Sequence, residues 1–173
     1  MILKLFYDLA LYVILCGAGY IVMDCLHYNK IVTALPNVKQ RWLYYLLQFT
    51  WGLTMNICGA LMAAVLLCCG KRPKKHGWNC CFELNVNGGL SLGIFVIAPV
   101  GFYDDLKDHE HGHSIQNMYF GPLFLGMVAI PSVIRFWVRE IQYKIDRPPK
   151  TDYDEVWFEG QATASGRKFM NNI

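Results

Sequence analysis

The chain carries four long apolar blocks, at residues 5–23, 42–69, 88–103 and 118–138, and its charged residues gather in the stretches between them. No other feature constrains the fold as strongly. In hydrocarbon every backbone amide needs a partner inside its own segment, so a spanning segment stays helical across about 30 Å. Apolar residues make up 54% of the 173 and aromatics 14%, which is rich for a water-soluble domain of this length. The expected architecture is an all-α integral membrane protein with three to four hydrophobic helices and a C-terminal amphipathic helix. The last hydrophobic helix either spans or turns back as a re-entrant hairpin. One domain is expected over residues 1–173, with membrane helices over 1–103 and a motif-bearing region over 104–173.

The first two blocks are long enough to cross with some tilt. Gly17, Gly19, Gly52, Gly59 and Ala60 give them the small surfaces that let membrane helices approach closely. Although Lys4 precedes the first block, no cleavable n-region, h-region and small-residue site line up, so it reads as a retained helix rather than a signal peptide. Pro99 in the third block and Pro122 and Pro131 in the fourth each remove a backbone donor, which is why a bend or hairpin stands beside a full span. Pro148-Pro149 ends any helix begun at the membrane edge, and Asp152 or Asp154 can cap the next one.

The net charge is only +3, and Lys71, Arg72, Lys74 and Lys75 sit at a block edge rather than in a broad patch, which argues against nucleic acid. The expected partners are membrane lipid, a peptide or membrane-protein substrate, and a second copy of the chain. Seven cysteines define no disulfide framework. Counting basic residues places the carboxyl terminus in the cytoplasm of a cell-membrane protein, both with three spans plus a hairpin and with four spans.

Between the third and fourth blocks lies DHEHGHSIQN, in which His109, Glu110 and His113 have the HExxH spacing. Residues four apart share one helix face, so the two imidazoles can hold one zinc ion while Glu110 handles the proton of the attacking water. The bare spacing arises by chance in on the order of one chain in a few hundred, so its surroundings matter. Acidic residues Asp104, Asp105 and Asp108 precede it, and Ser114 and Gln116 follow. Gln116 returns to the metal-facing side, where it can hydrogen-bond a ligand or substrate. His111 points elsewhere and reads as an exposed or supporting residue.

A catalytic zinc takes three protein ligands, and the third is expected from Glu159 in WFEGQATASG. Ala162 and Gly166 after it let that segment pack closely on the histidine helix. Asp154 and Glu155 come next as candidates, then His76 and Glu83. Arg135 and Arg139 either snorkel at the headgroups or, through Arg135, clamp a substrate carboxylate. Tyr153, near Glu159 in the chain, is a candidate for stabilising a tetrahedral oxyanion.

With these residues the chain resembles the glutamate-zincin (gluzincin) metallopeptidases, in which a helix after HExxH supplies the third ligand. The strings HEHGHSIQN, GP, IPS, RFWVRE and YDEVWFEGQAT are further similar to a group of small bacterial membrane proteins with HEFGHSIQN-like and WFEGQAT-like motifs. In that group an aromatic residue is common where His111 stands. The first two blocks carry no matching motif. The resemblance implies a membrane-embedded zinc-dependent metalloprotease that hydrolyses peptide bonds of a membrane-associated or hydrophobic peptide. Two other classes stand beside it: a non-enzymatic membrane accessory or immunity-type protein with a structural metal, and a metal carrier. The carrier is disfavoured because the apolar blocks lack a run of acids and histidines.

Overall fold

The computed structural model of the protein describes residues 2–30, 33–101 and 104–173. Phe102 and Tyr103, the end of the third apolar block, lie outside the described residues. The elements are α1 (Ile2–Tyr28), α2 (Arg41–Phe49), α3 (Leu53–Cys68), β1 (Lys74–His76), β2 (Asn79–Leu84), β3 (Leu90–Leu92), β4 (Phe95–Pro99), α4 (Asp104–Phe120), α5 (Ile130–Lys144) and α6 (Trp157–Met170). Between α4 and α5 come a 3-10 turn, Gly121–Leu123, and a π-helical turn, Leu125–Ala129; a second 3-10 turn, Tyr153–Glu155, precedes α6. The chain divides into two compact units, Met1–Thr33 with Leu123–Gly160, and Ala34–Pro122 with Gln161–Ile173.

The fold is not all-α, and among the described residues three to four hydrophobic helices are not present. A four-stranded mixed sheet of order β1-β2-β4-β3 stands where membrane helices were expected within residues 1–103. Among the described residues one helix, Leu3–Tyr28, is long and apolar enough to cross a membrane, a criterion that a signal sequence or a soluble core helix also meets. Only 6% of its most apolar window is buried, the reverse of what a core helix shows.

Each displaced block has a local cause. In the third, Gly93 at φ +67° opens a two-residue loop that pairs Leu92 with Phe95, and in the stretch before it Gly77 at φ +55° does the same for His76 and Asn79. A left-handed first loop residue suits the twist of a tight hairpin and favours glycine. Strands β2 and β4 then pair in parallel and join the two hairpins. The block is apolar because Val96 and Ala98 of β4 are buried inside the unit, which hydropathy alone does not distinguish from a membrane segment.

The second block breaks between Phe49 and Leu53, and α2 and α3 meet at a 90° bend. Buried side-chain amides take up the carbonyls that the break frees. Asn56 Nδ2 donates to the carbonyls of Gln48 (2.8 Å) and Gly52 (3.0 Å), and Asn117 Nδ2 donates to Gly52 (3.1 Å) and to Gln48 Oε1 (2.7 Å). Gln48 Nε2 in turn donates to the Ser114 carbonyl at 2.7 Å, tying the bend to α4. In the fourth block the 3-10 turn at Gly121–Leu123 and the π turn separate the end of α4 from α5. Helical dihedrals at Phe124 and Ile130 flank the π turn, and the Ile130 amide donates to the Leu125 carbonyl, so the turn leads into α5; Pro131, which follows, has no amide to continue that ladder.

In the first unit α1 approaches the π turn through glycines: Gly126 sits against Cys16, and Gly19 against Met127. The Tyr20 ring meets Trp157 edge-on at 5.5 Å. In the second unit α4 is the central helix, buried at every position from His109 to Met118.

Candidate metal centre

Helix α4 owes its burial to contacts that its small residues allow. A methyl group at Gly112 would overlap the Ala162 carbonyl oxygen, and one at Gly166 would overlap the Asp108 carbonyl oxygen, so α4 and α6 cross with their backbones nearly touching. That crossing lies within the second unit. The division between units falls inside α6, just after Gly160. Because α6 is one continuous helix, Glu159 is carried one turn before Thr163 on the same face. Thr163 itself touches the site, with its Oγ1 2.8 Å from His109 Nδ1.

One ligand atom from each of His109, His113 and Glu159 can be chosen so that all lie within 4.8 Å of one another, and all three residues are buried. This buried group could hold a metal ion. The donor set fits a divalent cation in two respects. Each imidazole turns its Nδ1 to an oxygen: His109 to Thr163 and, at 2.8 Å, His113 to Gln116 Oε1. An N–H at Nδ1 puts the lone pair on Nε2, the tautomer a metal ligand needs. Glu159 is 0% exposed, and a cation held beside the two imidazoles would supply countercharge to a carboxylate at that depth.

The support extends past the ligands. Gln116 Nε2 donates to Gln161 Oε1 at 3.1 Å, so His113, Gln116 and Gln161 form a chain from α4 to α6. Gln116 thus bonds His113, a member of the group that could hold an ion. Thr163 and Gln161 were not anticipated. Thr163 had a readable signal, since it stands four after Glu159 and must share its face; Gln161 had none. Glu110, 4% exposed, lies with its carboxylate against the Cα of Gly89, where any side chain would displace it.

Other candidates are engaged elsewhere. His76 Nε2 is 2.7 Å from Asp108 Oδ1, and Glu83 pairs with Lys107 at 2.8 Å and with Lys74. Lys107 and then Lys74 hold the Glu83 carboxyl down to about 2, and Glu83 raises Lys107 in return. Burial pushes Asp108 up against the opposing pull of His76. The Arg135 guanidinium donates to the carbonyls of Asp152 (2.7 Å) and Tyr153 (3.1 Å) and lies 5.7 Å from the centre of the Tyr153 ring. Asp154 lends its backbone carbonyl to the close approach of Gly160.

His111 is not exposed, contrary to one reading of its position. It is fully buried, its ring 4.2 Å from that of Phe169 and stacked on Tyr44 at 6.0 Å. Burial, with a smaller contribution from His76, holds its imidazole down to about 3, so it stays neutral inside the aromatic cluster. It stands outside the group that could hold a metal.

No protein-family description, curated protein or solved structure matches the chain.

Proposed function

We propose that this protein is a membrane-anchored zinc-dependent peptidase, with His109, His113 and Glu159 as ligands and Glu110 as general base and acid. The observation that carries the reading is the convergence of two imidazoles one helical turn apart with a carboxylate from a distant helix, all buried and within 4.8 Å. Two imidazoles and a carboxylate suit zinc, and three protein donors leave a fourth position open. Zinc held there would polarise a peptide carbonyl and lower the pKa of a water to about 7.

The residues of the chain do the rest. Glu110 accepts the proton from the water as its oxygen bonds to the carbonyl carbon, then delivers that proton to the leaving nitrogen as the carbon–nitrogen bond breaks. Gly89 leaves room for its carboxylate to lie along the backbone. Thr163 and Gln116 hold the imidazole planes, so the Nε2 atoms need not reorganise.

The substrate class proposed is a membrane-associated or hydrophobic peptide, because α1 is suited to lipid. Lys30, Lys39 and Arg41 follow α1, so the positive-inside tendency favours a cytoplasmic location for the segment after α1 and, with a single span, for the carboxyl terminus.

One observation favours a second reading. The ligands are almost closed to water, at 7%, 5% and 0% exposure for His109, His113 and Glu159, as in a structural site of a non-enzymatic accessory protein. Elemental analysis paired with a peptide-cleavage assay separates the two. A peptidase has Glu110→Gln retaining the metal of the wild type while losing cleavage, and Glu159→Ala losing both. Wild-type protein that holds metal without cleaving any peptide, or that holds none, sinks the hydrolytic reading.

A further inference from the structure

Helix α5 is built inside out. Ile130, Val133, Ile134, Trp137, Val138 and Ile141 recur at three- and four-residue spacing along one stripe, and all are between 46% and 57% exposed. The polar residues between them turn inward. Arg135 reaches the Asp152 and Tyr153 carbonyls, Arg139 Nη1 donates to the Thr151 carbonyl at 2.8 Å, and both guanidinium groups lie over the Tyr153 ring. Among its described residues α5 buries none. A helix facing water takes the opposite arrangement, with its apolar stripe covered and its arginines solvated.

We propose that the outward face of α5 is a lipid-contacting surface, occupied by acyl chains of the membrane that α1 enters. Two observations favour lipid over a second copy of the chain. The stripe continues an apolar surface within one unit: α1 is exposed along nearly its whole length, meets the π turn at Gly126 and Gly19, and the π turn runs directly into α5. Beyond the stripe, Tyr143 and then Lys144, Arg147 and Lys150 are exposed, an aromatic residue and cations at the helix end that match the chemistry of an anionic headgroup layer. The proposal rests on α1 being a membrane helix and is independent of the hydrolytic chemistry.

The test is photo-cross-linking of the full chain in vesicles of phosphatidylcholine and phosphatidylglycerol, with benzoylphenylalanine replacing Ile134, Trp137, Gln142 or, in α1, Ile14. Intact mass is expected to rise by one phospholipid at Ile134, Trp137 and Ile14, and not at Gln142, which follows Arg135 and Arg139 on the inward face. Lipid adducts at Ile14 alone, with covalent dimers or no adduct at Ile134 and Trp137, overturn the assignment of this face. Loss of the adduct at Ile14 as well overturns the membrane reading beneath it. Should a replacement misfold, tryptophan quenching by lipids with brominated acyl chains decides: Trp137→Phe is expected to lower the quenched amplitude relative to wild type, and an unchanged amplitude overturns the proposal.

Discussion

Helices α4 and α5 are similar in length, 17 and 15 residues, and both invert the usual sorting of side chains, in opposite directions. In α4 the polar run His109 to Asn117 is buried. Ser114, Gln116 and Asn117 are each 0% exposed and each bonded to another element. In α5 the apolar residues face outward and the arginines inward. Polarity therefore does not decide which way a side chain turns; the availability of partners does. Side chains of α2, β2 and α6 give the groups of α4 what water would have given them. For α5 the backbone at Thr151 to Tyr153 does so for the arginines, and the apolar stripe is left to whatever medium surrounds it.

If the polar interior of α4 serves chemistry, its residues should separate into those that react and those that only pack. Glu110→Gln carries the largest expected effect: cleavage falls about 10²–10⁴-fold with metal content unchanged, read from kcat/KM and elemental analysis. Gly89→Ala should act in the same direction, displacing the Glu110 carboxylate while leaving the ligands alone; unaltered kcat with this variant would break the link between Gly89 and the base. Thr163→Ala comes next, with metal affinity weaker by about 10–100-fold in chelator competition, since it removes the oxygen that orients His109. Gly112→Ala sets a methyl group against the Ala162 carbonyl and should cost about 1–3 kcal/mol, seen as a lower melting temperature with or without metal. A melting temperature that falls only in the metal-loaded protein would assign Gly112 to the site instead.

The smallest effect is expected at the rim of α4. Glu83 has its carboxyl lowered from 4.5 to about 2 by Lys107 and Lys74, so the stability from these pairs is complete above pH 4.5 and is lost as pH falls toward 2. The melting-temperature difference between wild type and Glu83→Gln, measured in chelator, should therefore shrink across that window, and modestly, because the pairs are partly solvated. A difference that stays constant to pH 2 removes these ion pairs from the account.

How much was legible differs between site and fold. His109 and His113 share a face because helical geometry is local, and Gly112 and Gly166 mark where a second helix can come close; both are readable without coordinates. The fold misled because hydropathy dominated the signals that opposed it. Gly77-Trp78 and Gly93-Ile94 are two-residue loop signatures, and Gln48 and Asn56 are amides inside an apolar block, so the hairpins and the bend had written traces. A buried strand such as β4 and a segment bound for lipid have the same composition.

The sequence by itself determined the spacing of the paired histidines, the glutamate between them and the apolar length of α1, since each depends on residues within a few turns of one another. Only the tertiary structure decided that Glu159 is the carboxylate meeting those histidines, that Thr163 and Gln161 support them, that His111 is sealed among aromatic rings, and that the middle of the chain forms a sheet. Those outcomes depend on which surfaces pack together from far along the chain, and local propensity carries no term for that.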